Sequence, residues 1–296
     1  MRFNKSNMKN IIINSYDELI EKIEEISSKP IPLISANQRR DYFYRGHANK
    51  NWKLLPTLLR NKNVQEDKEL LEMLDVNESD KRLISLAVAQ HYGRKTRCLD
   101  FTSDYKVALY FACNPNDTDY DKDGAIIVIE KDYHLPNWFT NYLVYHVATD
   151  KRSDVFAWDY ARYISQQEEI IREFNRTHRS TEIGDIESEI QTYLSKGFMV
   201  DFRNNDCGFE RIQKQSAALY YFGSKFYALN ESKKYYLDPN DLSKYWSSQN
   251  MYYIELHNLS DPNLENNLFY SKIIIPQRLK KEIYTKTRIK ASDLGL

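Results

Sequence analysis

Glycine and cysteine are both scarce in this chain of 296 residues, with 8 glycines and 3 cysteines. The cysteines, Cys98, Cys113 and Cys207, are odd in number and far apart. That pattern excludes a disulfide framework and a cysteine metal cluster, and it leads us to expect a reducing, cytoplasmic setting. No glycine-rich phosphate loop of the Walker or dinucleotide kind is present, and the histidines form no H-E-x-x-H or similar metal spacing. No apolar run approaches the roughly 20 residues of a bilayer-spanning helix. The polar N-terminus, MRFNKSNMKNIII, lacks the apolar core of a signal peptide. Charge of one sign is missing too: Lys+Arg and Asp+Glu are equal at 42 each. Generic binding to a phosphate backbone relies on a basic excess, so it is not expected here. What the chain has instead is tyrosine, 23 of them, a side chain whose apolar body and polar tip suit pockets as well as cores.

Local patterns divide the chain into elements. Ser15 and Glu18 have the spacing of a capping box, and Leu19, Ile20, Ile23 and Ile26 follow at helical spacing, so a helix is expected over 15–27. The alternating aromatics of 41–46 predict a strand ending at Gly46. Helices are expected over 65–75, over 80–92 with Gly93 as the C-terminal cap, and over 104–113. Between the last two, residues 97–101 read as a short buried strand. The β-branched run of 125–130 reads as a central strand, with later strands at 219–222, 252–256 and 270–275, and a final helix from Gln277. The charged, glycine-poor stretch of about 150–196 predicts a helical insertion. Without repeats or a Pro/Ser/Gly linker, 1–296 is expected to be a single α+β domain with a helical N-terminal extension over 1–40.

Three constellations could carry chemistry. Asp119, Asp121, Asp123, Gly124 and Glu130 fit the D-x-D-x-D-G-x5-E ligand pattern of a calcium loop, but such a loop requires flanking helices. Here 125–129 reads as a strand, so no metal is assigned. Cys98 stands beside Arg97, whose charge could activate a thiolate; a buried strand cysteine is the plainer reading. The third group is Arg45, His91, Arg97, Asp100, Thr102 and Ser103. Each has a structural reading: an Arg97–Asp100 ion pair, a helix N-cap at Thr102 or Ser103, a strand end at Arg45-Gly46. Together they place polar groups at the ends of rigid elements, where function is usually carried.

These residues bring a family into view. Tyr44-Arg45-Gly46, with Trp52 and Pro56-Thr57-Leu58 after it, resembles the Phe/Tyr-Arg-Gly motif of the FRG-domain family. Ala89-Gln90-His91-Tyr92-Gly93, Thr96-Arg97, Leu99-Asp100-Phe101-Thr102 and Ala108-Leu109-Tyr110-Phe111-Ala112 are similar to its second block. Arg211-Ile212 with Gln215-Ser216, and the KIIIP of 272–276, are similar to its later ones. The resemblance spans roughly 40–275, the helical insertion excepted.

A weaker resemblance, to Arg-Ser-Glu-type ADP-ribosyltransferases, rests on Tyr44-Arg45-Gly46 and on Phe101-Thr102-Ser103 feeding a helix with Ala108 and Phe111. It implies a mixed, mostly antiparallel sheet body like that of such enzymes, with NAD as substrate. It also implies a macromolecular acceptor, nucleic acid or protein, and no membrane partner. Tyr44, Arg45 and Gly46 would hold the NAD phosphates and nicotinamide, supported by Thr102 and Ser103, with Arg211 closing the far side. His91, Arg97, Asp100, Glu210 and Gln215 are the candidates for the catalytic network. The family's late Glu has no clear counterpart, since Gln213 and Gln215 occupy the strand expected there and Glu210 precedes it. Gln can hydrogen-bond a hydroxyl but cannot take its proton, so Asp100 or His91 could be the base instead. A bacterial toxin or anti-phage effector, with an antitoxin or other regulatory partner, is the role the resemblance implies. A non-catalytic nucleotide- or protein-binding module, or a metal-dependent hydrolase or nuclease using Asp100 and His91, are the alternatives.

Overall fold

Alternating aromatics give the chain its longest ladder. In strand β2 (Arg39–His47) Tyr42 and Tyr44 face one way and Phe43 the other, and β2 pairs antiparallel with β4 (Gly124–His134) from Arg39↔Tyr133 to His47↔Ala125. The computed structural model describes residues 10–28, 39–56, 82–91, 93–134, 138–150, 152–167, 183–203, 209–231, 233–238, 252–259 and 270–296. The helix expected over 65–75 lies outside them.

Around this ladder the first sheet runs β1-β11-β4-β2-β3-β7-β6, with β1 Asn10–Ile12, β3 Cys98–Thr102, β6 Phe198–Asp201, β7 Ala217–Tyr221 and β11 Tyr270–Ile275. β6 also pairs parallel with β4 at Tyr133↔Met199 and His134↔Val200. The strands β4, β2, β3, β7 and β6 therefore close into a ring, a five-stranded barrel whose weakest junction is β2–β3, paired only at Tyr44↔Thr102. Inward-facing side chains fill it: Phe43, Leu99, Phe101, Ile127, Ile129, Met199, Ala218 and Tyr220, with Leu54 and Phe222 from the flanking loops. Small barrels are packed this way rather than hollow.

The outer faces carry two further cores. Helices α1 (Tyr16–Ser27), α3 (Tyr105–Cys113) and α8 (Gln277–Thr287) cover Tyr42, Tyr44, Ile126, Val128, Ile273 and Ile275. On the other side, Cys98, Phe198, Val200, Leu219 and Tyr221 pack against α2 (Arg82–His91), α4 (Trp138–Thr149), α5 (Ala157–Ser165) and α6 (Ile183–Lys196). The same core takes in a second, antiparallel sheet, β5-β10-β8-β9, with β5 Asp154–Phe156, β8 Ser224–Asn230, β9 Lys233–Tyr236 and β10 Tyr252–Leu259. Among the described residues no helix is long and apolar enough to cross a membrane.

The protein is thus a mixed α+β fold, as its patterns predict, and its strand pairing is mostly antiparallel. Three details differ. The extension over 1–40 is not only helical, because β1 joins the sheet parallel to β11. The insertion over 150–196 carries a strand as well as α5 and α6, because Val155 pairs with Ile254 and its side chain enters the core. The strand expected at 213–215 is instead a short helix, α7 (Glu210–Lys214), which buries only Ile212 and holds Glu210 to Lys214 across one turn at 2.8 Å.

Candidate functional site

The Tyr-Arg-Gly motif ends β2 against the backbone of α3. A Cβ on Gly46 would stand 1.9 Å from the Ala108 carbonyl oxygen and 2.8 Å from the Ala112 nitrogen, so no other residue lets helix and strand approach this closely. Ala108 and Ala112 are small for the same reason. The neighbouring Arg45 is half-buried and points to the barrel side. Its Nε donates to His47 Nε2 at 3.1 Å and its Nη1 to the main-chain oxygen of Asp100. Beyond Tyr44↔Thr102, then, an arginine side chain supplies a bond that the β2–β3 ladder lacks. His47 Nε2 thus serves as an acceptor to the guanidinium. The buried His47 ring lies 5.8 Å from that of Trp52, whose Nε1 donates to Asp119 Oδ2 at 2.9 Å.

Alternation along β3 sends the Asp100 carboxyl to the face of Thr102, opposite Arg45. Among the described residues this carboxylate makes no hydrogen bond or ion pair, and its Oδ1 is shut off from solvent. Thr102 and Ser103, at the passage from β3 to α3, are turned onto the backbone. Thr102 Oγ1 donates to the Gln215 oxygen at 2.7 Å and accepts from Asp104 N, while Ser103 N donates to the Ser216 oxygen at 3.0 Å. The α3 N-cap is Asp104, which accepts from Lys106 N, rather than either hydroxyl residue. Gln215 is buried and donates through Nε2 to the Leu294 oxygen at 3.0 Å, just after Arg211 on α7. The following Ser216 adopts a left-handed φ of 45°, which fixes the sharp turn from α7 into β7.

The other expected site residues disperse. Arg97, just before β3, is fully buried, with its guanidinium 5.3 Å from the Tyr221 ring centroid and Nη2 3.5 Å from the Leu256 oxygen. It therefore serves the second core and not an ion pair with Asp100. Glu210 projects into solvent from α7, and Lys214 holds its carboxyl below the usual range. His91 ends α2, and its side chain lies outside the described residues; the adjoining loop is closed by Thr96 Oγ1 donating to Gln90 Oε1. Cys98 and Cys113 are both buried, and burial pushes the Cys113 thiol up to about 12, so that thiol is not built as a nucleophile.

The calcium pattern is also dismantled. Asp119 accepts from Asn49 and Trp52, and Asp123 pairs with Lys50 at 2.9 Å and accepts from Gln277 N, anchoring the start of α8. Asp121 is exposed beside Lys122, and Glu130 pairs with Arg40 at 3.3 Å. The cation of this turn is Lys280, fully buried on α8, whose Nζ donates to the oxygens of Ala48 at 2.6 Å and of Asp119 and Tyr120 at 3.3 Å. Among the described residues no group of His, Cys, Asp or Glu is set to hold a metal. Lys280 shares the inward stripe of α8 with Ile283 and Thr287, and a lysine on such a stripe is the sequence signal that could have marked it.

Neither the curated proteins nor the solved structures give a match to this chain. The family comparison does. Its matched segment takes in Tyr44-Arg45-Gly46, Trp52, His91, Asp100, Thr102 and the Gly46-facing helix α3, whereas Arg211–Ser216 and the KIIIP stretch fall beyond it. Residues 40–121, the segment that builds β2, β3 and their gap, match the family model described as FRG domain.

Proposed function

We propose that the protein is an NAD-consuming ADP-ribosyltransferase acting on a macromolecule, with its site at the gap between β2 and β3. One observation carries this reading. Arg45 is bonded to the main chain of Asp100 across the gap, and on the other face of β3 the Asp100 carboxylate makes no hydrogen bond or ion pair among the described residues. A dinucleotide diphosphate needs a preset guanidinium, and a breaking ribosyl–nicotinamide bond gains from a carboxylate beside the positive charge that develops on the ribose. In this reading Arg45 binds diphosphate, and Asp100 steadies that charge and takes the proton of the attacking acceptor. Thr102, Ser103 and Gln215 position β3 through their main-chain bonds. Glu210, spent on Lys214 at the surface, has no part. In bacteria such an activity would suit a toxin or an anti-phage effector.

A second reading, a nucleotide-binding module without turnover, draws on a different observation: the hydroxyls of Thr102 and Ser103 and the Gln215 amide are all turned onto main-chain oxygens. One experiment separates the two. The purified protein is incubated with NAD, with and without cell extract, and nicotinamide release is followed by mass spectrometry beside equilibrium NAD binding. Release that is lost in Arg45→Ala and Asp100→Asn but kept in the surface control Glu130→Ala supports the transferase. Binding without release points to the module. Folded protein that neither binds nor releases sinks both.

A further inference from the structure

A charge taken out of water must find a partner or lose its proton. Lys131 is half-buried and has found none among the described residues. It projects inward from β4 at the seam of the barrel, two residues before Tyr133, where β6 joins. Its Nζ stands 5.6 Å from the centroid of the Tyr220 ring, and among the described residues it makes no hydrogen bond or ion pair. The nearby carboxylates are committed elsewhere. Asp41, its partner across the ladder, is held by Arg203, which also binds Asp201 at 2.6 Å. Asp132 faces the other way and grips Arg40 at 2.6 and 2.9 Å. Lys196 lies close by, its main-chain oxygen accepting from the Tyr220 hydroxyl, and among the described residues its ammonium is not paired either.

We propose that Lys131 is a nucleophilic amine that captures an anionic carbonyl compound, an aldehyde or ketone bearing a phosphate or carboxylate, as an imine at the barrel seam. The Nζ lone pair adds to the carbonyl carbon. Both nitrogen protons then leave with the carbonyl oxygen as water, and a C=N bond remains, with no oxidant or reductant consumed. Lys196 supplies the second positive charge that draws in the anionic group, and a neighbouring cation is one of the usual ways such lysines are activated. Burial, reinforced by Lys196 and Arg40 and opposed by Asp132, lowers the Lys131 amine to about 8. At neutral pH that raises its unprotonated fraction by about two orders of magnitude over an ordinary lysine. Openings of barrels are also common ligand sites.

The test uses the full chain and two probes, pyridoxal 5′-phosphate and pyridoxal, which differ only in the phosphate. Adducts formed at limiting reagent are trapped with borohydride and mapped by peptide mass spectrometry. We expect Lys131 to be labelled about tenfold faster than the exposed Lys106 and Lys233, with a pH midpoint near 8. The phosphorylated probe should react several-fold faster than pyridoxal, and Lys196→Ala should narrow that difference. Labelling of Lys131 no faster than of Lys106 and Lys233, or only in denaturant, overturns the proposal. Equal rates for the two probes overturn its anionic half. No variant at Lys131 is needed, so a folding defect cannot imitate either result.

Discussion

Two lysines are drawn into this protein and treated in opposite ways. Lys280 meets three carbonyl oxygens, from Ala48, Asp119 and Tyr120, and joins α8 to the loop after β2 and to the acidic turn before β4. Lys131 meets the face of a tyrosine ring and no acceptor among the described residues. Burial lowers the pKa of both, so desolvation does not distinguish them. Acceptors do. Where every donor is answered the charge acts as a fastener, as a metal ion would; where none answers, the proton is lost more easily and the amine becomes more available chemically. The same contrast separates Gly46, pinned under α3, from Asp100, whose carboxylate is unanswered among the described residues.

The sharpest way to break this contrast is Gly46→Ala. With its new methyl 1.9 Å from the Ala108 oxygen, helix and strand must part. A loss of about 4 kcal/mol or outright failure to fold is expected in urea denaturation. Next comes Lys280→Met, which leaves three inward carbonyls without their donor; a loss of about 3 kcal/mol is expected, with a shift in Trp52 fluorescence as Asp119 is released. Lys131→Met should do the reverse and stabilise by about 1 kcal/mol at neutral pH, since it removes an unpaired charge. A loss as large as that of Lys280→Met would erase the distinction. The pH dependence sharpens it. The folded pKa of Lys131 lies below the unfolded one, so between about 8 and 10.5 the unfolded chain binds more protons and stability rises with pH. That rise should be present in the wild type and reduced in Lys131→Met when urea midpoints are compared across the window. The smallest effect is expected at Asp100→Asn, within about 0.5 kcal/mol in stability, while nicotinamide release is lost.

Local signals were legible and long-range ones were not. The Ser15 cap reads directly from its spacing and is formed, with Glu18 N donating to Ser15 Oγ and Glu18 Oε2 reaching back to Asn14 N. Gly93 reads as a helix terminator and adopts the left-handed φ of 78° that such a cap requires. Tyr44-Arg45-Gly46 and the β3–α3 passage stood out because their residue types are unusual at element ends. The α7 region misled because a five-residue helix shows too little periodicity to be told from a strand. The closure of β6 on β4 was unreadable in principle. It joins residues about 65 apart in sequence through main-chain pairing, to which side-chain pattern contributes little. Lys280 and Ala48, 232 residues apart, pose the same difficulty.

The single Tyr44↔Thr102 bridge has one more implication. Arg45 acts as the latch of the ring at its weakest junction, with the Asp100 oxygen as the catch. An anion that claims the Nη1 of Arg45 competes with that catch, so occupancy and parting of β2 from β3 are thermodynamically linked. A bound diphosphate would therefore loosen the barrel at its seam with β3, and conditions that loosen the barrel would in turn favour the anion.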